Sequence, residues 1–384
     1  MKTFRVYAAA LVAAIAMSGC GGGGGGSSQQ AAEPAKPAAD ARNGTYKVYA
    51  SSGARFDLEL NFDQKTYAFT GSNNGDPDAS GSFSEVASEP GSYVFQSSRI
   101  TTATNTARFR ISSDTVVGAF PFGLMHKTPT INAIRPFLAT RALIRTQASL
   151  DGIYNRFGIG LNSQTDDTSQ ITQIRISNGG TKLEVCMHNV IYPIAICPTI
   201  GAYTVTADSA PGSWEITDAN GSSAGSFGVA ALADGKVYLA AGRASSASAD
   251  AVFRIGVSDK ATWQLGAGHG SATNGSWGAI SITSQTASAR TGIATDGSTV
   301  QATNTLYPMT VPDPITSATL PGVQGMRSVP ANNAGYFAMQ GAGLFAIVGA
   351  NNVAQGTNGY LQLNLMDCPP RRLQPAHAHG GRWR

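Results

Sequence analysis

The sequence predicts an all-β fold, built as tandem antiparallel β-barrel or β-sandwich modules, and three observations carry that prediction. Charged residues make up only 13% of the 384 residues, about half the usual roughly 25%. Apolar and polar residues alternate with a period of two between turns rich in the chain's 45 glycines. Similar Asn/Asp-Gly openings followed by an aromatic recur at long intervals. With 42% hydrophobic residues, the chain is rich enough in apolar side chains to bury a core, which argues against a disordered polyelectrolyte.

Residues 1–19 read as a secretory signal peptide, with Lys2 and Arg5, an apolar run from Val6 to Met17, and small residues before Cys20. The run is shorter than the about 20 residues a spanning helix needs. The junction Met17-Ser18-Gly19-Cys20 resembles the lipobox of bacterial lipoproteins, with Met17 where leucine is usual. That resemblance implies cleavage before Cys20 and acylation of its sulfur and amine, and several acyl chains anchor far more firmly than one. In that family an aspartate after the cysteine favours inner-membrane retention, so Gly21 implies the outer membrane. Residues 20–42 contain Gly21 to Gly26 and a Gln/Ala/Pro/Lys stretch to Ala41, and read as a flexible tether. No later segment offers 18 consecutive apolar residues, so no transmembrane helix is expected.

The body divides into modules at 43–148, 151–270 and 274–367, each expected to hold six to eight short strands. Their openings are Asn43-Gly44-Thr45-Tyr46, Asp151-Gly152-Ile153-Tyr154 and Asn274-Gly275-Ser276-Trp277, spaced 108 and 123 residues apart. A β-propeller is the alternative, but this period is too long for one blade of about 40–50 residues. Phe56, Leu58, Leu60 and Phe62 alternate with polar residues as in a half-buried strand, and Asn178-Gly179-Gly180 signals a hairpin.

A sharper match sets Arg99 and Ala107-Arg108-Phe109-Arg110-Ile111 beside Arg243 and Ala251-Val252-Phe253-Arg254-Ile255 at the same spacing. Gly349 and Tyr360 repeat the spacing of Gly242 and Phe253. A further pair, Phe83 with Pro90-Gly91-Ser92-Tyr93 and Tyr203 with Pro211-Gly212-Ser213-Trp214, reads as turn chemistry alone. Residues 121–138, with Pro121, Pro129 and Pro136, read as a long irregular loop, and Gly266 to Gly270 as the flexible end of the second module. Residues 368–384 read as a disordered basic tail.

Candidate chemistry is sparse. Cys186 and Cys197, exported to an oxidising compartment, are expected to form a disulfide worth about 3 kcal/mol by chain entropy. Cys368 is then left over, as a free thiol or an intermolecular link. A zinc site joining His188 to those cysteines lacks the paired CxxC spacing, and His377-Ala-His379 belongs to the tail. Gly221-Ser222-Ser223-Ala224-Gly225 has the letters of a nucleophile elbow without the following helix. Gly266-Ala267-Gly268-His269-Gly270 lacks the third glycine of a dinucleotide loop. Asp76-Pro77-Asp78, Asp166-Asp167 and Asp218 read as solvated turns rather than calcium loops.

Arg110 and Arg254 remain as the ligand-binding candidates. Each neighbours a phenylalanine on a strand, so ring and guanidinium point to opposite faces, with the ring expected inside and the arginine outside. There an arginine would pair with a carboxylate or stack on a sugar.

Of the 27 basic residues, Lys2, Arg5, Arg371, Arg372, Arg382 and Arg384 lie at the ends; the remaining 21 face 23 acidic residues, so the body is near −2. That balance excludes nucleic acid as a partner. No metal or cofactor is expected. The sequence therefore points to a non-enzymatic binding or adhesion protein of the envelope, held to the membrane by its lipid anchor, with a glycan or protein ligand and an unassigned membrane face. A hydrolase or carbohydrate-processing enzyme built on the acidic loops, or a periplasmic assembly factor with an apolar groove, are the alternatives.

Overall fold

The computed structural model describes residues 38–188, 191–232, 234–243, 250–310, 319–329, 335–350 and 357–367. The signal, Cys20, nearly all of the tether, Cys368 and the tail lie outside the described residues. Three closed eight-stranded antiparallel barrels follow one another along the chain, and in each the strands pair in sequence order until the eighth closes on the first. Closure leaves no free sheet edge, which settles the module type as a barrel.

The first barrel comprises β1 (Gly44–Ala50), β2 (Arg55–Asn61), β3 (Thr66–Thr70), β4 (Ala79–Glu85), β5 (Ser92–Gln96), β6 (Arg108–Ser112), β7 (Thr115–Gly123) and β8 (Asn132–Thr140). The second comprises β9 (Gly152–Leu161), β10 (Thr168–Ser177), β11 (Lys182–Cys186), β12 (Ile200–Ala207), β13 (Trp214–Thr217), β14 (Ser223–Leu232), β15 (Gly235–Arg243) and β16 (Ala251–Ser258). The third comprises β17 (Gly266–Ala272), β18 (Trp277–Ser284), β19 (Ala287–Ile293), β20 (Thr299–Thr310), β21 (Thr319–Val329), β22 (Gly335–Gly341), β23 (Leu344–Gly349) and β24 (Leu361–Met366).

Two of the three recurring openings build the same corner. The Tyr46 hydroxyl donates to the Arg42 carbonyl at 2.8 Å, and the Tyr154 hydroxyl donates to the Leu150 carbonyl at 2.9 Å, each four residues back. The third opening precedes the second strand of its barrel, β18, not the first. The glycine-rich run from Gly266, expected to end the second module, is the first strand of the third. Its glycines are needed there, because a side chain on Gly268 or Gly270 would strike the Leu365 and Leu363 carbonyls of β24.

The irregular loop expected at 121–138 shrinks to residues 124–131. Pro121 lies in β7 beyond the end of its ladder with β6, and Pro136 lies in β8 just before its ladder with β1, so neither missing N–H costs a sheet hydrogen bond.

The internal repeats also sort differently. The Pro-Gly-Ser pair falls on equivalent elements, the fourth and fifth strands of the first two barrels. Gly91 and Gly212 share φ of 80°, and Ser92 and Ser213 each donate a backbone N–H to the carbonyl three residues back. The Arg-Phe-Arg match falls out of step, on the sixth strand of the first barrel and the eighth of the second. Gly242 with Phe253 and Gly349 with Tyr360 do coincide, at the seventh-to-eighth strand passage of the second and third barrels.

The described residues from Ala39 onward form one compact unit, and each barrel touches both others, through β17 on β7 and β8, β1 on β15, and β23 on β9 and β10. The seam is a single apolar cluster drawn from the outer faces of strands. Phe157, Ile159 and Leu161 of β9 and Phe253, Ile255 and Val257 of β16 meet Leu344, Ala346 and Val348 of β23 and Leu361, Leu363 and Leu365 of β24. In these strands the usual alternation is inverted. Their apolar side chains face a neighbouring barrel, and the residues between them, including the fully buried Asn364, face their own lumen.

Candidate ligand site in the second barrel

Three barrels of the same strand number and order enclose three different interiors. The first is packed with rings: Phe69 alone lies with its centroid 4.4–5.9 Å from those of Phe56, Tyr67, Phe95, Phe120, Phe122 and Phe137. The third is threaded by a polar chain, in which Arg290 donates to the Tyr360 hydroxyl at 2.6 Å, Tyr360 to Gln362 at 2.7 Å, and Gln362 to Asn364 at 3.0 Å. Burial raises the Tyr360 hydroxyl to about 12.

The second barrel is filled at one end only, where Leu150, Tyr154, Ile176, Trp214, Phe227 and Val229 form a buried plug. Above the plug lies a cavity of about 390 Å³. Its walls differ. On adjacent strands β9 and β16, Arg156 and Arg254 project inward, set in register against Gly256 and Gly158. Gly158 makes this possible, because any Cβ there would collide with the Arg254 side chain and the Phe253 carbonyl. Across the lumen, Leu183, Val185 and Ile216 present an aliphatic wall from β11 and β13. Tyr203 and Tyr238 complete the interior.

Both arginines are enclosed by protein atoms yet reachable by solvent through the mouth. Arg254 donates through one Nη to the Ile159 carbonyl at 2.9 Å and the Phe253 carbonyl at 3.1 Å. Burial, and then the nearby Arg156 charge, bring its pKa down to about 9, so it stays cationic at neutral pH. Burial likewise lowers Arg156, with the Tyr238 hydroxyl partly offsetting the loss, and the Arg156 Nε has no hydrogen-bond partner. Among the described residues no carboxylate lines the cavity or pairs with either guanidinium. Two like charges held this close inside a barrel without a carboxylate partner are costly to a fold.

The first barrel contributes to the mouth. Arg55 of β2 donates to Ser226 Oγ at 2.7 Å, and Asn73 lies beside it. Opposite, the expected disulfide joins Cys186 to Cys197 with Cα atoms 5.8 Å apart. It fixes the end of β11 so that Met187, 59% exposed, lines the opening.

The two arginines singled out in the sequence thus part company. Arg110 behaves as expected: Phe109 is inside the first barrel and the guanidinium outside. There it pairs with Asp367 at 3.1 Å and contacts His269 Nδ1, clasping the first barrel to the third. In the second barrel the expectation is reversed, with Phe253 outside in the seam and Arg254 in the lumen.

The other motifs are structural. Asp218 accepts backbone N–H groups of Asn220 and Ser222, which makes 218–222 the turn between β13 and β14 and leaves Ser223 to Gly225 in β14 itself. Asp76, expected in a solvated turn, is buried and accepts from Arg99 at 3.0 Å and the Gly123 N–H at 2.8 Å. Asp167 pairs with Arg135 at 3.2 Å. No group of three or more metal-ligating side chains gathers among the described residues.

Sequence reasoning missed Arg156. Its signal is the alternation of Tyr154, Arg156, Gly158 and Gly160 against Phe157, Ile159 and Leu161, in which the polar and glycine face is the one turned inward. Against known proteins, the chain matches no family model, no curated protein and no solved structure.

Proposed function

We propose that the chain is a non-enzymatic binding protein of the bacterial envelope, tethered to the outer membrane through acylated Cys20, and that the lumen of its second barrel takes up a small anion. The observation that carries the reading is the pair Arg156 and Arg254, half-buried side by side in an open cavity that holds no acidic partner among the described residues. An anion accepting from both guanidinium groups would neutralise charge that the protein itself leaves uncompensated. Tyr238 and Tyr203 add hydroxyl groups beside them. Eight strands give a barrel wide enough to fill with side chains or to hold one small ligand. The first barrel follows the former course and the second the latter.

The test follows the melting temperature of the mature protein as small carboxylates and phosphates are added. A ligand that binds only the folded state raises it in proportion to RT ln(1 + [L]/Kd), and Arg254→Met should abolish the rise. An equal rise in the variant would remove the lumen from consideration. The anchor is tested in the same preparation by membrane fractionation, in which Cys20→Ser should release the protein.

A further inference from the structure

Resting on the reading of the second-barrel lumen as an anion site, we infer that its ligand is an amphipathic acid: an oxyanion head on a single apolar chain of medium length. The two walls of the cavity are chemically distinct and face each other across the barrel. The head is met by Arg156 and Arg254 on adjacent strands β9 and β16, and the body by Leu183, Val185 and Ile216 on β11 and β13. A bare inorganic anion uses only the first wall, and a neutral lipid only the second.

Size narrows the class further. A volume of about 390 Å³ is near the lower end of the roughly 300–1,000 Å³ common for small-molecule sites, which suits one short chain and excludes a diacyl lipid. Met187 supplies an unbranched, adaptable side chain at the opening, where a chain end would emerge. Its position is pinned by the Cys186–Cys197 disulfide and by its own N–H donating to the Thr199 carbonyl at 2.9 Å. Fatty acids and alkyl phosphates share this chemistry, so the two head groups are separated by experiment.

Isothermal titration of the mature protein with octanoate, octyl phosphate, octanol, acetate and inorganic phosphate makes the test. Octanoate or octyl phosphate should bind about tenfold or more tighter than its chain-free counterpart, acetate or inorganic phosphate, since each buried methylene adds favourable transfer energy. The tighter of the two octyl acids then identifies the head group. Octanol should fail to bind at comparable concentration. Arg254→Met should weaken the octyl acid by about tenfold or more, and Arg254→Lys, which keeps the charge, should recover part of the loss. Recovery by lysine would not follow from a purely structural role.

If acetate or inorganic phosphate binds as tightly as the octyl acid, the apolar body is wrong and the simpler anion site survives. If octanol binds as tightly as octanoate, the arginines are not reading charge and the inference fails. If none of the five binds, the anion site fails with it.

Discussion

In the first barrel, side chains pointing inward from all eight strands are mostly rings, and Phe69 sits among six of them. In the second barrel, one end is plugged by apolar side chains and the cavity beyond it is bordered by arginines, two tyrosines and an aliphatic wall. Strand number, connectivity and opening corner are shared, so the frame does not dictate the contents. Which face of a strand carries its apolar residues decides the interior. In β6, Phe109 points in and Arg110 out, while in β16, Phe253 points out and Arg254 in. A barrel whose outer face must pack against two neighbours can bury its hydrophobic residues there and leave its lumen for other chemistry.

Removing one ring from the first barrel should break the contrast most severely. Phe69→Ala leaves a void among six aromatic neighbours and should cost about 3–5 kcal/mol, read as a lowered midpoint of chemical denaturation. A cost below about 1 kcal/mol would show that the first barrel, like the second, tolerates open space.

The opposite sign is expected in the second barrel. Arg254→Met removes a half-buried charge that has no carboxylate partner among the described residues, so the ligand-free variant should be more stable by about 0.5–2 kcal/mol while losing anion binding. Destabilisation of the ligand-free protein would instead assign Arg254 to holding the Ile159 and Phe253 carbonyls.

The smallest effect concerns the clasp between the first and third barrels. Burial, reinforced by Arg110, lowers the pKa of His269, while Glu89 and Asp367, each 3.8 Å away, oppose the shift. Because the folded pKa lies below the unfolded value of about 6.5, the unfolded chain binds the proton more readily. Stability is then fully present above that value and is lost as pH falls toward the folded pKa. Burial lowers His126 in the same direction. Denaturation midpoints between pH 7.5 and 5 should fall, and His269→Gln should flatten part of the slope. An unchanged slope would remove His269 from the pH response.

Much of this was legible in the chain. Alternation in Phe56, Leu58 and Leu60, the Asn178-Gly179-Gly180 turn and the recurring Gly-X-aromatic openings identify antiparallel β modules, because hairpins are local and their signals lie within a few residues. The Cys186–Cys197 pairing was legible for the same reason. The modest Pro-Gly-Ser match proved to be the equivalence between barrels, and the more distinctive Arg-Phe-Arg match did not. Turn geometry is fixed by local backbone conformation and returns at the same place in each barrel, whereas a short alternating string suits any strand.

What the sequence determined by itself, then, was the strand content, most of the turns and the tandem repetition of antiparallel modules, set largely by local steric and period-two rules. Only the tertiary structure decided which way each strand faces. β9 and β16 turn Phe157 and Phe253 outward because β23 and β24 stand there to bury them, and Arg156 and Arg254 turn into the lumen as a consequence. Period-two alternation assigns residues to two faces; the hydrophobic effect chooses between those faces only when the neighbouring barrel is in place.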